Sequence, residues 1–277
     1  MTLSGYKLYQ AFKYAVYALL AWNIVLFFSR ESGAIDVRFF DGLRPGDVIE
    51  AFAATIDTTA WVILLLMFEL ETWVLDDRLI TPRVMRLLHV LRAICYAFIG
   101  YAFYGYLTKL LFFMGAVPLA GVSDLCSLLG QDWAYAIQGD TYEPLTASNC
   151  ASFPAASEYA KLPGVSAVVE ASGLAAIVRL AAVDLVNSGV WLLVVALLEI
   201  DVRLQERGRL EGTVLALSTA LKAVLYAVLF AAAVYWGLKG DFIDFWDAFL
   251  WLVAFFFIEM NVFEWRRESL AESATAA

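Results

Sequence analysis

The sequence predicts an all-α integral membrane protein whose six transmembrane helices form three tandem hairpin repeats around a pseudo-threefold axis. Two observations predict the class. First, 62% of the 277 residues are hydrophobic and the mean hydropathy is +0.73, whereas a soluble domain is about 45 to 50% apolar. Second, six mostly apolar runs are long enough to cross a bilayer. They lie at roughly residues 8-29, 50-73, 88-114, 173-200, 213-238 and 244-264.

The arginines outside these runs predict the orientation. Six spans place both termini on one side of the membrane, and arginines concentrate on that side, which the positive-inside rule assigns to the cytoplasm. They are Arg78, Arg83, Arg86, Arg203, Arg207, Arg209, Arg266 and Arg267. Arg30, Arg38 and Arg44, on the other side, weaken this bias. We expect both termini in the cytoplasm, in a bacterial inner membrane or a plasma membrane.

One connection, residues 116-170, is much longer than the others, and the predicted topology places it outside the cytoplasm. It contains Cys126 and Cys150, two of the three cysteines of the chain. A disulfide is permitted in that compartment, and closing this loop would stabilise the fold by about 3 kcal/mol in the chain-entropy model. We therefore expect a Cys126 to Cys150 bond. The end of the chain, 269-277, is expected to be disordered.

The second, fourth and sixth helices share one polar pattern, which is the first half of an internal repeat. Each has a Trp, a Glu eight residues later, and an acid or amide two residues after that Glu. Each also has Asp or Asn four residues before the Trp, which is one helical turn away on the same face. The three copies are Asp57, Trp61, Glu69, Glu71; Asn187, Trp191, Glu199, Asp201; and Asp247, Trp251, Glu259, Asn261.

The first, third and fifth helices share a second pattern. A cation is followed by Tyr-Ala four residues later and by another cation seventeen residues after the first. The cation pairs are Lys13 and Arg30, Arg92 and Lys109, and Lys222 and Lys239. The two patterns together predict three hairpins with one common orientation, at 1-75, 76-210 and 211-268, the second of which includes the long connection.

Spacing along a helix predicts the depth of each polar layer. Seventeen residues rise about 25 Å, close to the hydrocarbon thickness, so the two cations of each odd-numbered helix mark the two membrane faces. The cytoplasmic charge layer is predicted to contain Lys13, Arg92, Lys222, Glu69, Glu199 and Glu259. The outer charge layer is predicted to contain Arg30, Lys109, Lys239, Asp184 and Asp244. Between the layers lies a polar waist of Asp57, Asn187 and Asp247.

These layers have two interpretations. Charges near helix ends commonly pair or extend to the interface, and here they would hold the hairpins together. Alternatively, Asp57 and Asp247 face the axis of the bundle and bind a cation or proton, since a charge in hydrocarbon costs roughly 2.5 to 3.5 kcal/mol or more and is retained for function. Asn187 interrupts the ring of acids, which suits an asymmetric site.

The motif search favours no enzyme. A Gly-x-Ser-x-Gly elbow, a His-Glu-x-x-His motif, a phosphate loop and a Cys-x-x-Cys pair do not occur in the sequence. We expect no catalytic residue, cofactor or bound metal, and the net charge of -9 disfavours nucleic acid. The expected function is a small channel or transporter for a cation or proton. The alternative is a non-catalytic structural or assembly subunit of a larger membrane complex. The expected partners are the lipid bilayer, an ion or proton, and other membrane proteins or further copies of the chain.

Overall fold

The computed structural model describes residues 3-39, 42-71, 81-153 and 158-257, which are mostly helical. The helices are α1 Leu3–Arg38, α2 Val48–Ala51, α3 Ala53–Glu69, α4 Pro82–Met114, α5 Ala171–Glu206, α6 Gly212–Lys239 and α7, residues 242-257. Glu259, Asn261 and the predicted disordered tail lie outside the described residues.

Within the described residues, four helices are long and apolar enough to cross a membrane: α1, α4, α5 and α6. Each extends beyond the apolar run that predicts it; α1, for example, has 36 residues and is about 54 Å long. The remaining two predicted spans coincide with α3, which has 17 residues, and with α7. Because these two are shorter within the described chain, the count of six spans in three hairpins stays a prediction.

Local chemistry determines several helix ends. The helix α4 begins where the Thr81 hydroxyl accepts a hydrogen bond from the Val84 amide (3.4 Å), with Pro82 in the first turn. At the end of α6, Gly240 adopts φ +81°, a left-handed conformation that favours glycine. Between α2 and α3, Phe52 leaves helical geometry at φ -124° and ψ 37°, so α3 begins with a new set of backbone amides.

The all-α prediction was wrong for the long connection. Residues 116-170, here called the cap, contain a five-stranded sheet in the order β1-β4-β5-β2-β3. The strands are β1 Val117–Leu119, β2 Ala134–Gln138, β3 Thr141–Pro144, β4 Tyr159–Lys161 and β5 Ala167–Glu170. Neighbours pair antiparallel except β2 and β5, which are parallel. A search for long apolar runs misses strands of three to five residues.

The cap shares a hydrophobic core with the helices that flank it. One continuous cluster contains Phe113 of α4, Ile177 and Ala181 of α5, and cap residues that include Leu162 and Ala167. Strand β5 passes directly into α5. The Cys126 to Cys150 disulfide is confirmed, with Cα atoms 5.0 Å apart. The cap is therefore seated on the end of α4 and the beginning of α5.

The chain divides into two compact units. One is Ile24–Val195, which contains the cap, and the other combines Met1–Asn23 with Ala196–Ala277.

Candidate functional site

A cluster of charged side chains joins the cap to α1, α4 and α5 in the unit Ile24–Val195. The cluster consists of Arg38, Glu50, Lys109, Asp140 and Asp184, here called the cap-side cluster. The Lys109 ammonium donates to the carboxylates of Asp140 (2.5 Å) and Asp184 (3.5 Å). The Arg38 guanidinium donates to Glu50 (2.8 Å) and lies 3.9 Å from Asp140. These side chains are largely buried, apart from Glu50.

Asp140 occupies the tip of the hairpin that joins β2 to β3. Gln138 pairs with Thr141, so only Gly139 and Asp140 form the turn. A Cβ atom on Gly139 would come within 3.2 Å of the Lys109 side chain, so the small residue permits the close approach. Burial raises the pKa of Asp140, but the opposing charges of Lys109, Arg30 and Arg38 outweigh burial and lower it to about 2. Asp140 is therefore ionised in this position.

Tyr142, on β3, supports the same turn. Its hydroxyl donates to the carbonyl oxygen of Gly139 (3.4 Å). Burial raises the pKa of Tyr142 to about 12, so the hydroxyl keeps its proton and remains a donor near neutral pH.

Glu31 of α1 caps the beginning of α3. Its carboxylate accepts hydrogen bonds from the backbone amides of Ala54 (2.8 Å) and Thr55 (3.1 Å) and from the Thr55 hydroxyl (2.6 Å). The first amides of a helix have no partner within the helix and carry partial positive charge, so a carboxylate stabilises them. The helix break at Phe52 therefore leaves backbone amides without helical partners, and the buried Glu31 carboxylate accepts their hydrogen bonds.

The two predicted waist residues of this unit, Asp57 and Asn187, lie on α3 and α5. The Asp57 carboxylate accepts from the Trp61 indole N–H (3.0 Å) and from the Tyr106 hydroxyl (3.5 Å). The rings of Trp61 and Trp191 lie 6.1 Å apart. Asn187 precedes Trp191 by one helical turn, as Asp57 precedes Trp61. The structure thus brings the matching segments of α3 and α5 together.

Asn187 and the adjacent Ser188 each carry a buried polar atom on α5. Asn187 Oδ1 and Ser188 Oγ are buried and have no hydrogen-bond partner within the described part of the chain. Ser188 is 3% exposed. Because a buried polar atom without a partner costs about 1 to 3 kcal/mol, each such atom in a native protein requires a reason.

The unit of Met1–Asn23 and Ala196–Ala277 holds the third waist residue. Asp247 accepts a hydrogen bond from the fully buried Asn23 side chain (2.7 Å). In the same unit, Asp201 accepts from the Ser218 hydroxyl (2.6 Å) and forms an ion pair with Lys222 (3.3 Å).

The predicted cytoplasmic layer is only partly assembled as expected. Arg92 pairs with Glu71 (2.7 Å) and Lys222 with Asp201, so both cations meet the second acid of the repeated pattern. Among the predicted acids, Glu69 is buried and Glu199 lies 3.7 Å from Arg203. Lys13 is fully buried. Glu259 lies outside the described residues.

The predicted outer layer divides between the two units. Lys109 and Asp184 come together in the cap-side cluster, and Arg30 lies over the Phe27 ring at 5.3 Å while acting electrostatically on Asp140. Lys239 and Asp244 belong to the other unit. Lys239 lies 5.8 Å from the centre of the Tyr235 ring, and Asp244 is half-buried on α7.

Four charged residues described above for the unit Ile24–Val195 were not predicted as site residues from the sequence: Glu31, Arg38, Glu50 and Asp140. For Asp140 a signal existed, because Gly-Asp between two short alternating segments is typical of a two-residue hairpin turn. The other three had no repeat partner to draw attention to them.

The described residues contain no group of three or more His, Cys, Asp or Glu side chains that could hold a metal ion. No protein family model, curated protein or solved structure matches the chain significantly.

Proposed function

We propose that the chain is a membrane transport protein for a proton or a small cation, and that the predicted waist residues serve this function, Asp57 and Asn187 in one unit and Asp247 in the other. One observation carries the proposal: Asn187 Oδ1 and Ser188 Oγ are buried acceptors with no hydrogen-bond partner among the described residues. Each buried acceptor without a partner costs about 1 to 3 kcal/mol of stability. Its presence suits a site where a proton carrier or a cation binds transiently during transport.

The surroundings of Asp57 support this function. Among the donors to its carboxylate are two neutral groups, the Trp61 indole and the Tyr106 hydroxyl. A tyrosine hydroxyl can both donate and accept, so Tyr106 can pass a proton to or from the carboxylate. An aspartate held in this way can bind and release a positive charge without dismantling the helix packing.

The chemistry of the waist limits the kinds of substrate that it could bind. Its groups are oxygen atoms, which favour a proton or a hard cation. Divalent ions are generally held by several carboxylates, and the described residues contain no group of three or more His, Cys, Asp or Glu side chains that could hold a metal ion. A proton or a monovalent cation is therefore the better match.

The arrangement of six spans as three hairpins belongs to the same proposal. The three repeated tryptophans are equally buried, Trp61 at 8%, Trp191 at 7% and Trp251 at 6%. Each of the pairs Arg92 to Glu71 and Lys222 to Asp201 links the first helix of one hairpin to the second helix of the hairpin before it. Equal burial and equivalent pairing support a repeated unit.

A second candidate is a structural or assembly subunit of a membrane complex. The cap-side cluster favours it, because paired and largely buried charges are also what a purely structural tie would contain. In that case the exposed aromatic side chains, such as Trp22 and Phe230, would contact partner helices as well as lipid.

Flux in proteoliposomes separates the two candidates. The purified chain is reconstituted with a pH-sensitive dye inside the vesicles, and proton or alkali cation flux is measured under an imposed gradient. We expect flux in the wild type and a loss of about tenfold or more in Asp57→Asn and in Asp247→Asn. Asp36→Asn is the matched control, because Asp36 is exposed near the end of α1 and its exchange should leave flux unchanged.

Absence of flux from correctly folded wild-type protein would refute transport. Purification of the chain with stoichiometric membrane partners, together with unaltered behaviour of the Asp57→Asn and Asp247→Asn proteins in cells, would favour the structural subunit instead.

A further inference from the structure

We propose that the β2 to β3 hairpin tip is a latch, in which Asp140 holds the tip closed over the polar side chains of α4 and α5 by sharing Lys109 with Asp184. The effect of the latch on flux rests on the proposed function. The effect of the latch on solvent access to the waist does not depend on the proposed function.

Lys109 is the centre of the latch because it has one partner on each side. Asp140, in the cap, lies 2.5 Å from the ammonium, and Asp184, on α5, lies 3.5 Å from it. One buried cation therefore joins the cap to a membrane helix. If Asp140 moves away, Asp184 remains to neutralise Lys109, so the open arrangement does not leave an isolated charge.

The tip of the hairpin, at Gly139 and Asp140, is held less firmly than the base of the hairpin. Strand β3 lies at the edge of the sheet and pairs only with β2, and the register of the two strands shifts between Ala136 and Gln138. Such an irregularity locally interrupts the ladder and bends the strand. The base is held by the shared core, which includes Ala136 of β2 and Phe113 of α4 and against which Tyr142 of β3 packs.

The waist begins directly beyond the latch on α5. Asn187 and Ser188 follow Asp184 by three and four residues, so they lie one turn farther along the same face of the helix. The buried Ser188 hydroxyl, which has no hydrogen-bond partner among the described residues, is therefore a suitable position for measuring access from the cap side.

The experiment measures the reactivity of a cysteine at this position. Ser188→Cys is introduced into the full chain, which keeps its disulfide, and the rate of modification by a small charged thiol reagent is followed in detergent micelles. The protein without Ser188→Cys gives the background from buried Cys95. We expect Asp140→Asn to accelerate labelling about tenfold or more, because the neutral amide holds the ammonium far less strongly.

Two further variants keep the result decisive. Asp132→Asn makes the same exchange at an exposed position of the cap and should leave the rate unchanged. Asp184→Asn removes the competing partner of Lys109, strengthens its pairing with Asp140, and should leave labelling equal to or slower than in the wild type. Equal rates in the folded wild type and Asp140→Asn would overturn the latch; so would faster labelling in Asp184→Asn, even if Asp140→Asn failed to fold.

Flux provides the second measurement. If the wild type transports, Asp140→Asn should raise the rate of flux above that of the wild type and of Asp132→Asn. A wild type without flux would refute transport and leave the labelling result to decide on the latch. Flux that Asp140→Asn leaves unchanged, with accelerated labelling, would refute the latch as a control of transport.

Discussion

The two cations of α4 are the first and second cations of the same repeated pattern, but their surroundings are very different. Lys109, near the end of the helix, is 10% exposed and contacts two carboxylates, one of them supplied by the cap. Arg92, seventeen residues earlier, is 30% exposed and pairs with Glu71 alone among its described ion pairs. A repeated charge therefore has no fixed energetic value. Its contribution to the free energy of unfolding depends on its surroundings, which for Lys109 include a buried acid of the cap.

The largest expected effect is the loss of Lys109. Lys109→Met leaves Asp140 and Asp184 buried without their shared cation, and breaking a buried pair in this way typically costs about 3 to 5 kcal/mol. Unfolding by denaturant in detergent micelles, followed by tryptophan fluorescence, measures the change. Arg92→Met is the matched control and should cost less than about 1 kcal/mol. Equal losses in the two variants would break the comparison between the two ends of α4.

Acid should weaken the cap-side cluster through Asp140. The pKa of Asp140 is about 2 in the folded protein, below its ordinary value of 3.8. A lowered pKa in the folded state means that Asp140 contributes its full stabilisation above about pH 4 and loses it as the pH falls toward 2. The free energy of unfolding of the wild type should therefore drop through this window.

The Asp140→Asn protein tests that assignment. It should start less stable near neutral pH and lose less on acidification between about pH 4 and pH 2, because the titrating group is gone. Asp132→Asn should follow the wild type. Parallel pH profiles for the wild type and Asp140→Asn would show that other carboxylates cause the acid sensitivity.

Much of the helical structure could be predicted from the sequence. Apolar runs indicate the helices, and the location of Cys126 and Cys150 in one loop indicates their bond, because both signals are local or need only one pairing. The seventeen-residue spacing also placed Lys109 and Asp184 at one level. These predictions use the rise of a helix and the cost of charge in lipid, which do not depend on the details of packing.

The cap and its contacts could not be predicted in the same way. Asp140 meets Lys109 only after a five-stranded sheet has formed, and the strands of that sheet pair across a disulfide-closed loop without a continuous apolar run. Glu31 reaches the amides of α3 because the helix breaks at Phe52, and no breaker residue such as proline or glycine marks that position. Tertiary contacts of this kind cannot be predicted from the spacing of residues along the sequence.

The smallest expected effect is the coupling energy between Arg92 and Glu71. It tests most directly whether local burial sets the strength of an ion pair. A double-mutant cycle with Arg92→Met and Glu71→Gln should give a coupling energy of about 0.2 to 1 kcal/mol, because both side chains are partly exposed and water screens their attraction. The same cycle for Lys222 and Asp201 should give a larger value, since Asp201 is buried and also accepts from Ser218. If the coupling energies rank instead by position in the repeat, with Arg92 and Lys222 equal, then the repeated pattern and not the local burial sets the strength of each pair.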